Sequence, residues 1–207
     1  FLKQVNITAA KNQITVIMGK SGSGKSTLLN IVMGLLKPMV GEVRVDGVNV
    51  EELDKNFFRQ HIGLVTQYSV TFNLTVREIL SLRNSDVPDK ILIEYLDKFQ
   101  LQSIFPNHTI DLSYQIDETS SNLSGGENQR LALIRELTMQ PEILLLDEFT
   151  SAVDKNTMNV IISYLEKIKK STTIIIVSHQ SDYLSIADKA YEIDNGRVQY
   201  LDKFGAA

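Results

Sequence analysis

Two segments of the sequence have the composition of glycine-rich anion-binding loops. Residues 19–27 are GKSGSGKST, and residues 123–127 are LSGGE. The first segment contains the full pattern G-x-x-x-x-G-K-[S/T], in which glycines let backbone N–H groups turn inward around phosphate oxygens. This pattern predicts a site for a nucleoside triphosphate.

Two side chains of the first loop can carry out phosphate chemistry. Lys25 supplies a compact positive charge to the outer phosphates, and the Ser26 hydroxyl is a ligand for Mg²⁺. A strand predicted before the loop and a helix predicted over residues 25–36 argue against the alternative of a flexible Gly/Ser turn, and the helix dipole adds positive potential. The expected nucleotide-binding residues are Gly19, Ser21, Gly22, Ser23, Gly24, Lys25, Ser26 and Thr27.

Three further polar residues follow predicted buried strands. Asp147 and Glu148 come after the apolar run 143–146, and His179 comes shortly after the run 172–177. Ligands of open α/β sheets bind at the carboxyl ends of the strands. We therefore expect Asp147 to hold Mg²⁺ through water and Glu148 to act as the general base. His179 could reach a γ-phosphate or the base carboxylate, with a purely structural histidine as the alternative.

The second glycine-rich loop has two interpretations. Ser124 can cap the helix predicted over residues 127–139, and Glu127 then completes a capping box, which explains the segment as a helix start. The same helix N-terminus could also bind a second anion. The local sequence leaves both interpretations open.

The order of elements predicts an α/β fold with a mainly parallel sheet. Short apolar strands alternate with helices outside residues 70–138, whereas that segment has helical periodicity and weak strand signals. Asp46-Gly47 and Asn195-Gly196 predict two hairpins, which make an antiparallel β part. We expect a single domain over residues 1–207 with a helical subdomain inserted at about 70–138. Its predicted helices cover residues 75–82, 89–99 and 127–139, and a further helix covers residues 155–170.

Composition excludes several classes of protein. The 207 residues are 43% hydrophobic and 22% charged, which is ordinary for a globular domain. Cysteine is absent, so disulfides and thiolate metal sites are excluded. The net charge of −4 and the lack of a long basic run disfavour nucleic acid as the main partner. Because the sequence starts at Phe1, close to an apolar segment, we expect either a piece of a longer polypeptide or a chain that lacks its leading residues.

The set of motifs resembles that of the ATP-binding cassette (ABC) family over nearly the whole chain. Residues 19–27 resemble the Walker A loop, and residues 143–148 resemble Walker B with its catalytic glutamate. Between them, Gln67 falls where the family has its Q-loop glutamine, and residues 123–130 (LSGGENQR) resemble the signature motif. Residues 151–154 resemble the D-loop, and His179 the switch histidine.

The resemblance implies a P-loop NTPase (RecA-like) fold, ATPase activity with ATP and Mg²⁺, and a head-to-tail dimer that encloses two ATP molecules. Ser124 and Gly126, with Gly125 between them, would contact the γ-phosphate bound by the partner, and Asp154 would join the two sites. Gln67 would sense Mg²⁺ and the attacking water, and would couple to a transmembrane domain, fused or separate. The implied location is the cytoplasmic face of the cell membrane.

Within the family the sequence favours exporters. Residues 116–118, Ile-Asp-Glu, resemble the exporter loop ahead of the signature, with Glu118 matching its glutamate, although Asp117 replaces a usual glycine. Residues 72–78 fit exporters and importers alike. Phe149 stands where the family usually has Pro or Ala, so the D-loop geometry could differ locally. The aromatic residue that stacks on adenine normally lies upstream of Phe1, and the adenine contact stays unassigned.

Three alternative functions compete with an exporter ATPase. One is an importer subunit, and another is a soluble ABC ATPase that acts on nucleic acid or ribosomes, a class that usually has two cassettes or long coiled coils. The third is a cassette that binds nucleotide without hydrolysing it, which the presence of Lys25, Asp147, Glu148 and His179 argues against. The transported substrate is selected by the membrane domain, so this sequence does not predict it.

Overall fold

The computed structural model describes residues 2–67, 73–117 and 123–202. The chain forms two compact units. The first, here called the sheet unit, comprises Phe1–Leu64, Pro141–Glu148 and Glu166–Ala207. The second, here called the helical unit, comprises Val65–Gln140 and Phe149–Leu165.

The elements of the described residues are strands, α-helices and short 3-10 helices. The strands are β1 (Ile14–Gly19), β2 (Arg44–Val45), β3 (Val48–Asn49), β4 (Ile62–Val65), β5 (Leu74–Thr75), β6 (Gln115–Ile116), β7 (Ile143–Asp147), β8 (Thr173–Ser178), β9 (Lys189–Asp194) and β10 (Arg197–Tyr200). The α-helices are α1 (Lys25–Val32), α2 (Lys55–His61), α3 (Val76–Ser81), α4 (Asp89–Lys98), α5 (Gly125–Leu137) and α6 (Lys155–Ile168). The 3-10 helices are Val50–Glu52, Gln102–Ile104, Pro106–His108 and Ser181–Ile186.

A six-stranded, mainly parallel sheet forms the framework of the sheet unit. Its strand order is β10-β9-β1-β8-β7-β4. Strand β1 runs parallel to β8 and β9, β7 runs parallel to β8, and β10 is antiparallel to β9. The predicted α/β class with a mainly parallel sheet is therefore confirmed, and separate antiparallel pairs are also present, β2 with β3 and β5 with β6.

The central strands are apolar because both faces of the parallel sheet are covered. Ile14, Leu145 and Ile176 are fully buried in three successive strands of the sheet. Helix α1 contributes Leu29 to the same core, and β9 contributes Ile193. The carboxyl ends of β1, β7 and β8 thus lie at one edge of a rigid sheet, where each strand passes into a loop that carries polar residues.

Local turn chemistry sets the limits of several elements. Asp46-Gly47 and Asn195-Gly196 have positive φ at both residues, as a two-residue hairpin turn requires. Helix α1 ends at Val32, earlier than the predicted residue 36, and Gly34 follows in the left-handed region that commonly ends helices. Helix α2 was not predicted, although Asp54 accepts a hydrogen bond from the Phe57 N–H as its N-cap.

The helical unit packs its apolar residues around α5. The helices predicted over residues 75–82, 89–99 and 127–139 are present as α3, α4 and α5. Buried side chains from all three, including Leu80, Leu92, Leu133 and Ile134, form its core. Among the residues that the structure describes, no helix is long and apolar enough to cross a membrane.

A buried carboxylate in this core provides a test of the packing. The Glu136 side chain is 3% exposed, and its oxygens lie 2.7 Å from Arg83 and 3.2 Å from Arg135. Replacing it removes the counter-charge from two guanidinium groups. We expect Glu136→Ala to lower the free energy of unfolding by about 3 kcal/mol, because breaking a buried pair leaves desolvated charge behind.

Urea denaturation at pH 7 measures this effect, with Glu94→Ala as the control. Glu94 is exposed and lies 4.0 Å from Lys90, so its loss should cost less than about 0.5 kcal/mol. Equal losses in the two variants would contradict a structural role for Glu136.

Candidate active site

The loop between β1 and α1 is too tight to hold a side chain at its first glycine. A Cβ at Gly19 would lie 2.7 Å from Ser23 Oγ and 2.8 Å from the Ile193 carbonyl oxygen. Gly22 and Gly24 have φ of 77° and 99°, a region that glycine enters at low cost. Gly24 precedes α1 without a side-chain cap, and the buried Ser23 hydroxyl has no hydrogen-bond partner in the described structure. A buried, unpartnered donor beside a helix N-terminus fits a phosphate group.

Lys25, the first residue of α1, is buried against this loop. Its side chain is 4% exposed, and Nζ lies 2.7 Å from the Gly19 carbonyl oxygen, 2.9 Å from that of Lys20 and 2.9 Å from Glu148 Oε1. An ammonium group has three protons, and here each has an acceptor. Lys25 therefore joins the loop to the carboxylate that follows β7.

Glu148 has a backbone conformation that is uncommon for a glutamate. Its φ is 44°, in the left-handed region, and its N–H donates to the Val177 carbonyl oxygen at 3.0 Å. Its carboxylate divides between two partners, with Oε2 lying 3.4 Å from His179 Nδ1. The structure thus brings Lys25, Glu148 and His179 together at the carboxyl ends of β7 and β8.

Asp147 and Ser26 form the second polar group of the sheet unit. Burial raises the pKa of Asp147, and the charge of Glu148 adds to the rise, while a side-chain hydrogen bond from Ser26 and the charge of Lys25 oppose it. The Asp147 side chain is buried, and its Oδ1 has no hydrogen-bond partner within the described ranges. A desolvated carboxylate oxygen beside a hydroxyl is a ligand set for a hard cation.

Ser26 and Asp147 offer a hydroxyl and a carboxylate, which are oxygen donors of the kind that Mg²⁺ prefers. In residues 2–67, 73–117 and 123–202, no group of three or more His, Cys, Asp or Glu side chains could hold a metal ion. Mg²⁺ is usually held by one or two protein oxygens, with phosphates and water completing its shell. Ser26 and Asp147 therefore fit the cation that the phosphate loop implies.

In the helical unit, the second glycine-rich segment forms the predicted helix cap. Ser124 Oγ accepts from the Glu127 N–H at 3.3 Å, and Glu127 Oε2 accepts from the Ser124 N–H at 2.8 Å. Ser103 Oγ donates to the other oxygen of Glu127 at 2.6 Å. Burial opposes ionisation of Glu127, but the hydrogen bonds from Ser103 and Ser124 outweigh it and lower the pKa of Glu127. The capping box is confirmed, while anion binding at the same helix end stays a prediction.

The two glycines of this segment pack against the D-loop of the same chain. A Cβ at Gly126 would lie 2.6 Å from the Ala152 carbonyl oxygen, and one at Gly125 would lie 3.2 Å from the Ala152 Cβ. For these glycines the family resemblance implies a phosphate contact. The close approach shows that Gly126 is also required by packing within the chain.

Asp154 lies at the start of α6. Its Oδ2 accepts from Thr157 Oγ1 at 2.6 Å, and its Oδ1 accepts from the N–H groups of Asn156 and Thr157 at 3.0 and 3.1 Å. The hydrogen bonds from Thr157 lower the pKa of Asp154. Just before it, the Val153 N–H donates to the Thr150 carbonyl oxygen, so the D-loop forms a turn. The unusual Phe149 is fully buried in this unit.

Two buried residues of the signature segment were not predicted as functional. Arg130 is 9% exposed and donates to the Gly126 carbonyl oxygen at 3.2 Å and to Thr157 Oγ1 at 3.3 Å. Burial lowers the pKa of Arg130. The nearby charges of Glu127 and Asp154 oppose that shift. Gln129 Nε2 donates to the Gln67 carbonyl oxygen at 3.3 Å. In the sequence, these two residues could have been noticed as a pair of polar side chains on a helix face that is otherwise apolar.

Some predicted positions lie outside the described residues. These are Phe1, Phe72 and Glu118.

Comparison with known proteins identifies the family. The family model for the ABC transporter matches residues 2–151. An uncharacterized ABC transporter ATP-binding protein of Haemophilus influenzae is 33% identical over an alignment of 210 positions, which covers 98% of this chain and 37% of that protein. The leukotoxin export ATP-binding protein LtxB of Aggregatibacter actinomycetemcomitans is 31% identical over 197 residues, which cover 95% of this chain and 28% of LtxB.

A solved structure extends the likeness to three dimensions. A bacterial Atm1-family ABC exporter with ATP bound matches with a TM-score of 0.86 and 27% identity, over 99% of this chain and 35% of that chain. The fold and the phosphate loop define an ATP-binding domain of the P-loop NTPase type. The chain belongs to the ABC transporter family, whose ATP-binding domains are ATPases. It spans about a third of the length of these relatives.

The close packing of Gly126 on the D-loop generates a mutational test. Gly126→Ala should lower the free energy of unfolding by about 1–3 kcal/mol, since the added methyl group must displace a backbone carbonyl. Gly125→Ala is the matched comparison and should cost less, because its Cβ would approach only the Ala152 methyl group, at 3.2 Å, and not a backbone carbonyl oxygen. Thermal unfolding followed by circular dichroism measures both variants, and a larger loss for Gly125→Ala would contradict the packing.

The burial of Asp147 predicts a pH-dependent gain in stability on its removal. Because its native pKa is raised, ionised Asp147 destabilises the fold at neutral pH, and this cost disappears as the pH falls through the raised pKa towards the ordinary value near 4. We expect Asp147→Asn, without nucleotide or metal, to unfold about 2–4 °C higher at pH 7.

Calorimetry across this pH range measures the difference, with the exposed Asp182→Asn as the control. The advantage of Asp147→Asn should shrink at acidic pH. A constant or growing advantage would contradict the burial argument.

Proposed function

We propose that this chain is the ATP-hydrolysing domain of an exporter, acting with a transmembrane domain at the cytoplasmic face of the cell membrane. The observation that carries the proposal is the grouping of Lys25, Asp147, Glu148 and His179 beside a phosphate loop at one edge of a parallel sheet. The relatives, which include an export ATP-binding protein and an exporter, supply the direction of transport.

Nucleotide binding would begin by exchanging the acceptors of Lys25. Its ammonium is satisfied by two loop carbonyl oxygens and by Glu148, all within 2.9 Å. A triphosphate has the higher negative charge, and the N-terminus of α1 adds a favourable dipole. Release from Lys25 leaves the Glu148 carboxylate available to a water molecule. Binding of phosphate and freeing of the base are thus coupled through one contact.

Hydrolysis would use the residues at the ends of β7 and β8. Glu148 accepts the proton of the attacking water, and His179, within 3.4 Å, orients that carboxylate and the γ-phosphate. Ser26 and Asp147 would hold Mg²⁺, which when bound would supply positive charge to the outer phosphates. The family resemblance assigns Gln67 to the cation and the attacking water.

A second copy of the domain would complete each site. Ser124 and Gly125 are exposed at the N-terminus of α5, and Asp154 is exposed at the start of α6. In the proposed head-to-tail dimer, the segment Ser124, Gly125 and Gly126 binds the γ-phosphate held by the partner, and Asp154 lies between the two sites. ATP then stabilises the closed dimer, and this difference in affinity moves the transmembrane domain.

The relatives favour an exporter over the other ABC functions. LtxB is described as a leukotoxin export protein, and the neighbouring structure is an exporter. A Staphylococcus aureus protein assigned to multidrug export as an ATP-binding/permease protein is 32% identical over 197 residues, which cover 95% of this chain and 34% of that protein. A permease within one chain supports a fused transmembrane domain for this protein too.

The Glu148→Gln variant tests the assignment of the base. Glutamine keeps the shape of the side chain but cannot take a proton from water, so kcat should fall about 100-fold or more while ATP binding persists. Phosphate release measures turnover, and gel filtration with ATP should show an accumulated dimer. The control is Glu142→Gln, at an exposed position just before β7. Turnover like that of the parent in Glu148→Gln would overturn the assignment.

The dimer makes a separate prediction about concentration. Since each site needs residues from two copies, the hydrolysis rate per molecule should rise with protein concentration and then saturate. A rate per molecule that is constant over a wide dilution series, with no ATP-dependent dimer, would remove the shared-site proposal.

A further inference from the structure

We propose that Gln129 is a positioning residue of this ATPase, whose side-chain amide holds the D-loop and the Gln67 backbone against the signature helix α5. The inference rests on the proposed function, because it concerns the turnover of ATP. It adds a residue to which the motif analysis gave no role.

The side-chain amide of Gln129 makes three hydrogen bonds. The side chain is buried, with 5% exposed. Its Nε2 donates to the Gln67 carbonyl oxygen at 3.3 Å and to Ser151 Oγ at 3.2 Å, and its Oε1 accepts from the Ala152 N–H at 3.4 Å. Both donor positions and the acceptor oxygen are therefore used. One side chain joins three segments that are distant in sequence.

Neighbouring contacts show that α5 holds the D-loop at more than one point. One turn earlier, Gly126 lies against the backbone of Ala152, so closely that a Cβ would approach its carbonyl oxygen to 2.6 Å. The next residue, Arg130, donates to Thr157 Oγ1 near the start of α6. Gln129 lies between these two residues in the sequence of α5, and its side chain hydrogen-bonds both Ser151 and Ala152.

The chemistry requires an amide at this position. A glutamate would accept from the Ala152 N–H but would place a negative charge against the Gln67 carbonyl oxygen. A methionine would fill the space without hydrogen bonds, so the part-buried hydrogen bonds of the Ala152 N–H and of the Gln67 carbonyl oxygen would be lost. Only a side chain that both donates and accepts, with the length of glutamine, serves all three contacts.

This arrangement separates turnover from nucleotide binding. Gln67, the D-loop and the start of α5 belong to the motifs that the proposed function assigns to hydrolysis and to the second copy. The β1–α1 loop and Lys25, which bind the phosphates, belong to the sheet unit. Loss of the amide should therefore lower kcat and leave the affinity for ATP nearly unchanged.

The test compares Gln129→Met with Thr138→Val in the whole protein. Thr138 is also buried, at the end of α5, and its hydroxyl lies 2.7 Å from the Arg135 carbonyl oxygen and 3.3 Å from that of Leu80, so its loss provides a matched structural defect. We expect Gln129→Met to lower kcat about tenfold with Kd for a fluorescent ATP analogue within about twofold of the parent. Thr138→Val should leave both values within about twofold.

A double-mutant cycle with Ser151→Ala tests the contact itself. If Gln129 acts through the D-loop, the loss in kcat for the double variant should be smaller than the product of the two single losses. Multiplicative losses, an unchanged kcat in Gln129→Met, or an equal loss in Thr138→Val would each overturn the proposal.

Amide hydrogen exchange measured without ATP distinguishes a failure of the Gln129 proposal from a failure of the proposed function. Gln129→Met should speed exchange at Ala152, while Thr138→Val should not. If the parent protein does not hydrolyse ATP at any concentration, the proposed function fails. The exchange at Ala152 then still decides whether Gln129 holds the D-loop, and an unchanged rate would refute it.

Discussion

The buried pair of Lys25 and Glu148 is the interaction on which the site depends. Desolvating two charges costs several kcal/mol per ion, and a pair repays this only with good geometry and further hydrogen bonds. Here the geometry comes from a rigid parallel sheet: β7 delivers Glu148, β1 leads into the loop that holds Lys25, and β8, between them, binds the Glu148 N–H. Within this arrangement Glu148 keeps a left-handed φ of 44°, a sparsely populated conformation for a glutamate.

The helical unit holds in place loops that have little regular structure of their own. Its D-loop is a single turn, and α5 fixes it through the close approach of Gly126 and the amide of Gln129. These contacts connect the signature motif, the D-loop and Gln67 within one chain. A motif that the family resemblance directs towards a partner's phosphate therefore also has an internal structural role.

Much of the fold could be predicted because its signals are local. Continuous apolar runs predicted the strands around Val16 and Leu145, and the Asp46-Gly47 turn predicted its hairpin. The end of α1 was misplaced since the apolar pattern continues through Leu35 and Leu36, which lie exposed beyond the helix. Helix α2 was missed because its pattern is short and only one of its residues, Phe58, is buried. The proposed limits of the helical subdomain remain a prediction.

By itself, the sequence determined the phosphate loop, the carboxylates after the strand, the capping box at Ser124 and the family, because each depends on residue types at fixed spacing. Only the tertiary structure decided which groups form ion pairs and hydrogen bonds with one another and which are buried. The contacts of Lys25 with Glu148 and of Gln129 with Gln67 join residues more than sixty positions apart. That Asp147 Oδ1 has no hydrogen-bond partner among the described residues depends on burial. Such contacts follow from strand order and packing, which short-range patterns do not encode.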